Sequence, residues 1–370
     1  MDQAGREVSV TLSRRQALWG LAAAALSGAT DHLAAQAGAA GARTVQRWNV
    51  ADQRLVPPGA AGTDIVHAGA DRVGLLRPGQ AEPVWQTTHG LSGPAVFRPR
   101  ADTRQVLVGS LRSLASWQLA DGAVNWRRQA TLQFGTPCLD RGRVYLGDGH
   151  ALQALDAQNG NLLWRVDTTP DTLMSYAPTV VGDRVLVGPG NGRLYAVDRD
   201  DGRTIWTLDL ADEWQYLRQL HVGANVLVAG SYKELLYGIA IDSGRVLWKF
   251  NAGNFINSHH VSGQTAFLWS PTGWIFALDV ATGALRWRHR TTAYDGRSGA
   301  WASVLAELAS DDQHLYALDM GHVVHVLDRH SGDEITRFKV DTALRPALLV
   351  HADRRIVLAS DAGEIVQMAT

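Results

Sequence analysis

Residues 185–206 read VLVGPGNGRLYAVDRDDGRTIW, and this stretch decides the fold. Two short apolar-alternating runs, 185–187 and 193–197, flank the turn Gly188-Pro189-Gly190-Asn191-Gly192, and a second turn at 199–202 leads into a third run ending on Trp206. Alternating apolar runs punctuated by Gly, Pro, Asn and Asp predict three antiparallel strands joined by tight turns. The same grammar returns as VYLGDGHALQALDAQNGNLLW at 144–164 and AFLWSPTGWIFALDVATGALRW at 266–287. The stretch is therefore a repeat unit, and the repeat must be counted before anything else is read.

A glycine followed four residues later by tryptophan recurs as Gly122/Trp126, Gly160/Trp164, Gly202/Trp206, Gly244/Trp248 and Gly283/Trp287, the glycines 38, 42, 42 and 39 residues apart. Asp156, Asp198, Asp279 and Asp328 each stand four residues before the glycine of their unit. In the unit of Asp328, Thr336 replaces the tryptophan and Phe338 follows, giving a degenerate seventh unit. Upstream, residues 73–76, a Pro78-Gly79 turn and Val84-Trp85 form a variant with a longer second turn. Residues 356–359 and 365–368 supply two strands without a tryptophan-bearing one, while residues 44–50 around Trp48 are such a strand without a unit. Each completes the other. Lending the first strand to the last sheet closes a ring and removes the end surfaces of an open stack. The prediction is an all-β, eight-bladed β-propeller of four-stranded antiparallel blades, spanning 43–370 as one domain with about 41 residues per blade.

The repeat positions carry structural chemistry. The Asp accepts hydrogen bonds from backbone amides of its turn, the Gly takes a positive-φ position, and the Trp packs between neighbouring sheets with its indole N–H partnered. Trp48, Trp85, Trp126, Trp164, Trp206, Trp248 and Trp287 thus need no functional explanation.

With 46% hydrophobic residues in 370, core material is ample. A net charge of −1 provides no basic field for a phosphate backbone, so nucleic acid is not expected as a partner. The single cysteine, Cys138, excludes an internal disulfide and reads as a buried structural thiol. Residues 1–37 stand apart from the propeller: Ser13-Arg14-Arg15-Gln16-Ala17-Leu18, an apolar run at 18–26, and Ala35-Gln36-Ala37 as a small-x-small cleavage site. This resembles a twin-arginine export signal, with Ala17 where that pattern prefers Phe. The run is too short and too rich in Ala and Gly to span a bilayer, and no cysteine follows it for lipid attachment. The mature protein is expected to be soluble, monomeric, and periplasmic or secreted.

The signature A-[LV]-D-x-x-x-G-x-x-x-W, present at 154–164, 196–206 and 277–287, resembles the repeat of pyrroloquinoline-quinone (PQQ) type propellers. That superfamily includes quinoprotein dehydrogenases and the non-enzymatic outer-membrane-protein assembly factor BamB. The enzyme branch implies a longer chain, a calcium ion held by carboxylate and amide oxygens beside the quinone, and often a ring of two adjacent cysteines. This chain has one cysteine and short blades, and no catalytic carboxylate can be singled out. The BamB-like branch implies an eight-bladed periplasmic scaffold of this length whose inter-blade loops contact the barrel-assembly machinery. Residues 169–179 occupy the place of that family's contact loop; Leu173 matches loosely, and the arginine expected before Ala177-Pro178 is missing. The resemblance implies a non-catalytic binding or scaffold module without a cofactor. The alternative is a small quinoprotein oxidoreductase using PQQ and calcium.

Connections between blades gather at one face around the channel mouth, where loop residues are free to bind. Four such segments are rich in aromatic residues: Leu173 and Tyr176; Trp214, Tyr216 and Arg218; Phe255, Asn257, His259 and His260; Tyr294, Asp295, Arg297 and Trp301. Aromatic rings interleaved with Arg suit a docking patch for an envelope protein or a ligand. His259 and His260 are adjacent, and neighbouring strand residues point to opposite faces, so a shared metal ion is not expected. His322 and His325 read as solvated or hydrogen-bonded.

Overall fold

The computed structural model describes residues 31–32, 42–168, 172–210, 219–230, 234–253, 256, 258–270, 273–291, 307–319, 321–345, 347–351 and 354–370. Their regular elements are all β-strands. Seven sheets are formed by consecutive strands: blade 1 at 59–88, blade 2 at 100–129, blade 3 at 138–167, blade 4 at 179–209, blade 5 at 219–251, blade 6 at 258–290 and blade 7 at 307–339. Blade 8 comprises Leu349–His351, Arg355–Ala359 and Glu364–Ala369, completed by Arg43–Asn49 from the other end of the chain. The eight-bladed ring read from the repeats is the observed one, closed as expected. Asp31–His32, within the segment read as an export signal, pairs in parallel with the outer strand Leu285–Arg290 of blade 6. The remainder of 1–37 lies outside the described residues.

The first strand of every blade touches the first strands of both neighbours all the way round, so these eight strands wall a central channel. The founding repeat shows why the sequence alternates. In blade 4, Arg184–Val187 pairs with Arg193–Asp198, with Val185 opposite Val197 and Leu186 opposite Ala196. Leu186, Leu194 and Ala196 pack toward blade 5 against Tyr237 and Ile239. Val185, Val187, Tyr195 and Val197 pack toward blade 3 against Tyr145, Leu152 and Trp164. Neighbouring strand residues face opposite ways, and in a propeller both ways lead to another blade. This is why Val185, Leu186 and Val187 are all buried.

Tryptophans join the blades. The indole nitrogens of Trp48, Trp85, Trp126, Trp164, Trp206, Trp248 and Trp287 donate at 2.8–3.1 Å to carbonyls of Gln80, Leu119, Ala157, Arg199, Ile241, Val280 and Arg329, each in the next blade. From Trp85 onward the ring lies on the repeat glycine of that blade. Gly202, at φ 77°, would place a Cβ 2.7 Å from the Trp164 ring, so the position needs glycine both for its backbone and for the close approach. In blades 2 through 7 a bulge falls on the residue before the tryptophan or before Thr336. Bulges bend a strand and re-aim its side chains. They also leave the bulged residues Leu163, Leu247 and Ile335 exposed. The repeat carboxylates close their own turns: Asp198 accepts from the amides of Asp200 and Asp201, and Asp328 from those of His330 and Ser331.

Candidate functional site

Antiparallel pairing returns the chain to one end of the ring after every second strand. The inter-blade connections and the middle turns of the blades therefore share a face, and they bond to each other there. Ala95 N donates to Gly69 O, Met174 N to Gly149 O and Leu210 N to Gly192 O, each at 2.8 Å. The segment 172–178 is pinned by Met174, which is buried. A Cβ on Gly135 or Gly147 would lie 2.0 Å from the Met174 carbonyl oxygen, so both glycines make room for this loop. Thr136 N donates to Ser175 O at 3.0 Å. With Met174 turned inward, Leu173 and Tyr176 are half-buried, and the Tyr176 ring rests against Gly190 of blade 4.

Tyr176 also borders a cavity of about 750 Å3 at the channel mouth, walled by the first strands of blades 2 to 5. Arg100, Thr136, Cys138, Leu220, His221 and Val222 contribute to it, whereas Leu173 does not. Cys138 is half-buried and faces this cavity, a difference from the fully enclosed thiol expected from its apolar flanks. As the first residue of a channel-lining strand it has a blade on each side but open space in front. Burial nonetheless pushes its thiol up to about 11, which keeps it protonated.

His259 and His260 diverge, as strand alternation requires. His259 is buried against blade 5, where a Cβ on Gly230 would meet its Nδ1 at 2.4 Å. His260 turns toward blade 7, its Nε2 3.0 Å from Ser310 Oγ. The His221 ring lies edge-on to both, 4.7 Å from His259 and 6.0 Å from His260 between centroids. Burial pulls His221 and His260 down to about 4, the latter also through His221 and Arg329, so both are neutral imidazoles at neutral pH. Among the described residues no group of three His, Cys, Asp or Glu side chains is placed to hold a metal ion. Trp214, Tyr216, Arg218, Phe255, Asn257, Tyr294, Asp295, Arg297 and Trp301 lie outside the described residues.

His322 and His325 both belong to blade 7. His322 occupies the middle turn of blade 7 at φ 61°, its amide donating to Asp319 O. His325 is buried with Nδ1 2.7 Å from Glu334 Oε1 and Nε2 3.6 Å from Asp319 Oδ2. Burial opposes its protonation, but the two carboxylates outweigh burial and raise it above the ordinary histidine value.

Sequence reading missed a second feature of the mouth. Arg98, just before blade 2, donates from Nη2 to Glu307 Oε1 at 2.6 Å and to Leu348 O at 3.3 Å. Glu307 Oε2 accepts from Leu348 N at 2.6 Å. The pair crosses blades 8 and 1 to join blade 2 to blade 7. A signal was available: across the eight channel-lining strands the opening residues are Gly59, Arg100, Cys138, Thr179, Gln219, Ser258, Glu307 and Leu349, and Arg100 and Glu307 are the charged ones.

A family model described as "Outer membrane protein assembly factor BamB" matches residues 69–287 and 272–370. The chain belongs to that family. Among solved structures it is similar to BamB from Moraxella catarrhalis, at 18% identity and a TM-score of 0.69, covering 89% of this chain and 100% of that one. It is also similar to Sqt1 of Saccharomyces cerevisiae, at 11% identity and 0.70, covering 88% and 98%. The quinohemoprotein alcohol dehydrogenase ADHIIG of Pseudomonas putida HK5 is similar at 11% identity and 0.68, covering 89% and 76%. At these identities the likeness to solved structures establishes the propeller fold alone, while the BamB family assignment rests on the sequence match. No curated protein sequence matches the chain. Among the described residues, no helix is long and apolar enough to cross a membrane.

Proposed function

We propose that this protein is an exported, non-catalytic docking module of the cell envelope that holds a protein partner against the loop face of its propeller. The observation carrying the reading is the segment 172–178, part of the stretch 169–179 that resembles the family's contact loop, which is fixed to the rigid ring through buried Met174. A loop pre-ordered in this way presents Leu173 and Tyr176 without a large entropy cost on binding. The described wall of the channel favours binding over quinone chemistry. Among the described residues lining the cavity the polar side chains are a guanidinium, the hydroxyls of Thr136, Thr179 and Tyr176, a neutral thiol and a neutral imidazole, with no carboxylate, and calcium requires six or more oxygen ligands, mostly carboxylate and carbonyl.

The test is affinity capture from an envelope extract with the mature chain, beside a Leu173→Asp/Tyr176→Ala double variant. A partner retained by the native chain and lost from the variant, with both chains unfolding at the same temperature, supports the proposal. Stoichiometric uptake of PQQ in the presence of calcium, with dye-linked oxidation of an alcohol, would replace it by an oxidoreductase.

A further inference from the structure

The channel mouth is divided electrostatically. On the side of blades 7, 8, 1 and 2, the guanidinium of Arg98 is neutralised by Glu307. On the side of blades 2 to 5, Arg100 opens into the cavity of about 750 Å3 with no such partner. Its Nε donates to Pro137 O at 3.3 Å, and the groups that influence its charge are Cys138 and Arg98, with no carboxylate among the described residues. Burial is the largest influence and works against the charge. Among the described residues the wall supplies no compensating anion, because the Cys138 thiol stays protonated and His221 stays neutral. Among the described residues this half-buried guanidinium has no counter-charge, which is costly, and the cost is relieved by an anion that fits its planar fork.

We infer that this cavity is a binding site for a small organic monocarboxylate, held by Arg100 through its carboxylate and by Tyr176, Leu220, His221 and Val222 around its apolar body. The volume is within the range of small-molecule sites. One uncompensated cation matches one carboxylate, so the site is not built for a polyanion. Thr136, also on the lining, carries a hydroxyl able to donate to a remaining carboxylate lone pair. The site shares Tyr176 with the proposed docking loop but centres on Arg100, and the test below requires no partner protein.

The probes are benzoate and its neutral counterpart benzyl alcohol, titrated calorimetrically into the mature chain and into Arg100→Gln. Benzoate should bind saturably, benzyl alcohol at least tenfold more weakly, and Arg100→Gln should lose at least tenfold in benzoate affinity while unfolding at the native temperature. Should Arg100→Gln fail to fold, the ring resonances of His221 in the native chain, identified with His221→Gln, decide the matter. They should shift saturably with benzoate and not with benzyl alcohol. Equal binding of the two probes, equal binding by Arg100→Gln, or a His221 ring unmoved by bound benzoate would overturn the assignment.

Discussion

Arg98 and Glu307 stand 209 residues apart in sequence and meet at 2.6 Å across the channel mouth. Each side chain is 27% exposed, and Glu307 also holds the amide of Leu348. Burial pushes the Glu307 carboxyl up, while Arg98 and the Leu348 amide pull it down, so the carboxylate depends on these two partners. Removing Arg98 strands a largely desolvated charge, whereas removing both charges does not. Arg98→Met should therefore lose about 2 kcal/mol of unfolding free energy, and Arg98→Met/Glu307→Gln should recover at least half of it. Urea unfolding of the four proteins of this cycle measures it; equal losses in Arg98→Met and the double variant would refute the stranded-charge account.

Acid should destabilise the ring before its turn carboxylates titrate. His67, His221 and His260 are each pulled to about 4 by burial, and both nitrogens of His67 are without a hydrogen-bond partner among the described residues. Each folded-state value lies below the unfolded value of 6.5, so the unfolded chain binds more protons in the window between them. Stability is full above pH 6.5 and falls as pH drops toward 4. His325 runs the other way, since its value is raised: its contribution is present below 6.5 and is lost as pH rises through the folded value. Three groups outweigh one. The turn carboxylates of Asp198, Asp279 and Asp328 are lowered from 3.8, so their loss belongs below pH 4. Thermal unfolding should show a falling midpoint from pH 6.5 to 4, and His67→Leu should flatten that slope, removing up to about 3 kcal/mol of it.

The junction of Trp164 with Gly202 predicts a specific coupling. Gly202→Ala meets both a positive φ of 77° and a ring 2.7 Å from the new Cβ, whereas Gly142, also at φ 77°, has open space. Gly142→Ala should cost about 1 kcal/mol for its backbone alone, and Gly202→Ala about 1–3 kcal/mol more for the overlap. Trp164→Ala should cost about 3–5 kcal/mol. In a Trp164→Ala background the ring is gone, so Gly202→Ala should fall to the cost of Gly142→Ala. Denaturant midpoints give these differences directly, and additivity of Trp164→Ala and Gly202→Ala would refute the docking account.

The ring was legible because packing between blades repeats one local rule, and that rule recurs every 38 to 42 residues. Even the departure at Thr336 has a cause visible once the ring is closed. A tryptophan there would dock where blades 2 to 7 carry the turn joining their last two strands, but in blade 8 those strands, Glu364–Ala369 and Arg43–Asn49, come from distant parts of the sequence and no such turn joins them. Phe338 instead packs against the cluster that includes Val366 and Met368. The mouth was less legible. Arg98 and Arg100 are two residues apart, yet one is neutralised by a residue 209 positions away and the other is not, and no local pattern encodes that distance. The loops rich in tryptophan and arginine attracted notice through composition, which marks an exposed binding residue and a blade cap alike.

Ring closure gives the last prediction. Arg43–Asn49 pairs with Glu364–Ala369, Arg47 makes an ion pair with Glu364, and Gly79 N donates to Gln46 Oε1 at 2.7 Å. Trp48 joins Val50, Leu55, Ile65, Leu76, Val357 and Ile365 in one core, bridging blades 8 and 1. Losing this strand strips the core of its largest ring and bares the unpaired backbone of a six-residue sheet edge, a template for self-association. Deleting residues 1–49 should lower the unfolding midpoint by roughly 10 °C or more and produce aggregates in size-exclusion chromatography. Deleting residues 1–37 should leave both unchanged, since the closing strand remains. A synthetic peptide of residues 42–50, added to the shorter protein, should bind and restore the midpoint, and its Trp48→Ala version should not. A chain lacking 1–49 that stays monomeric at the native midpoint would mean that blades 1 to 7 hold the ring without the closing strand.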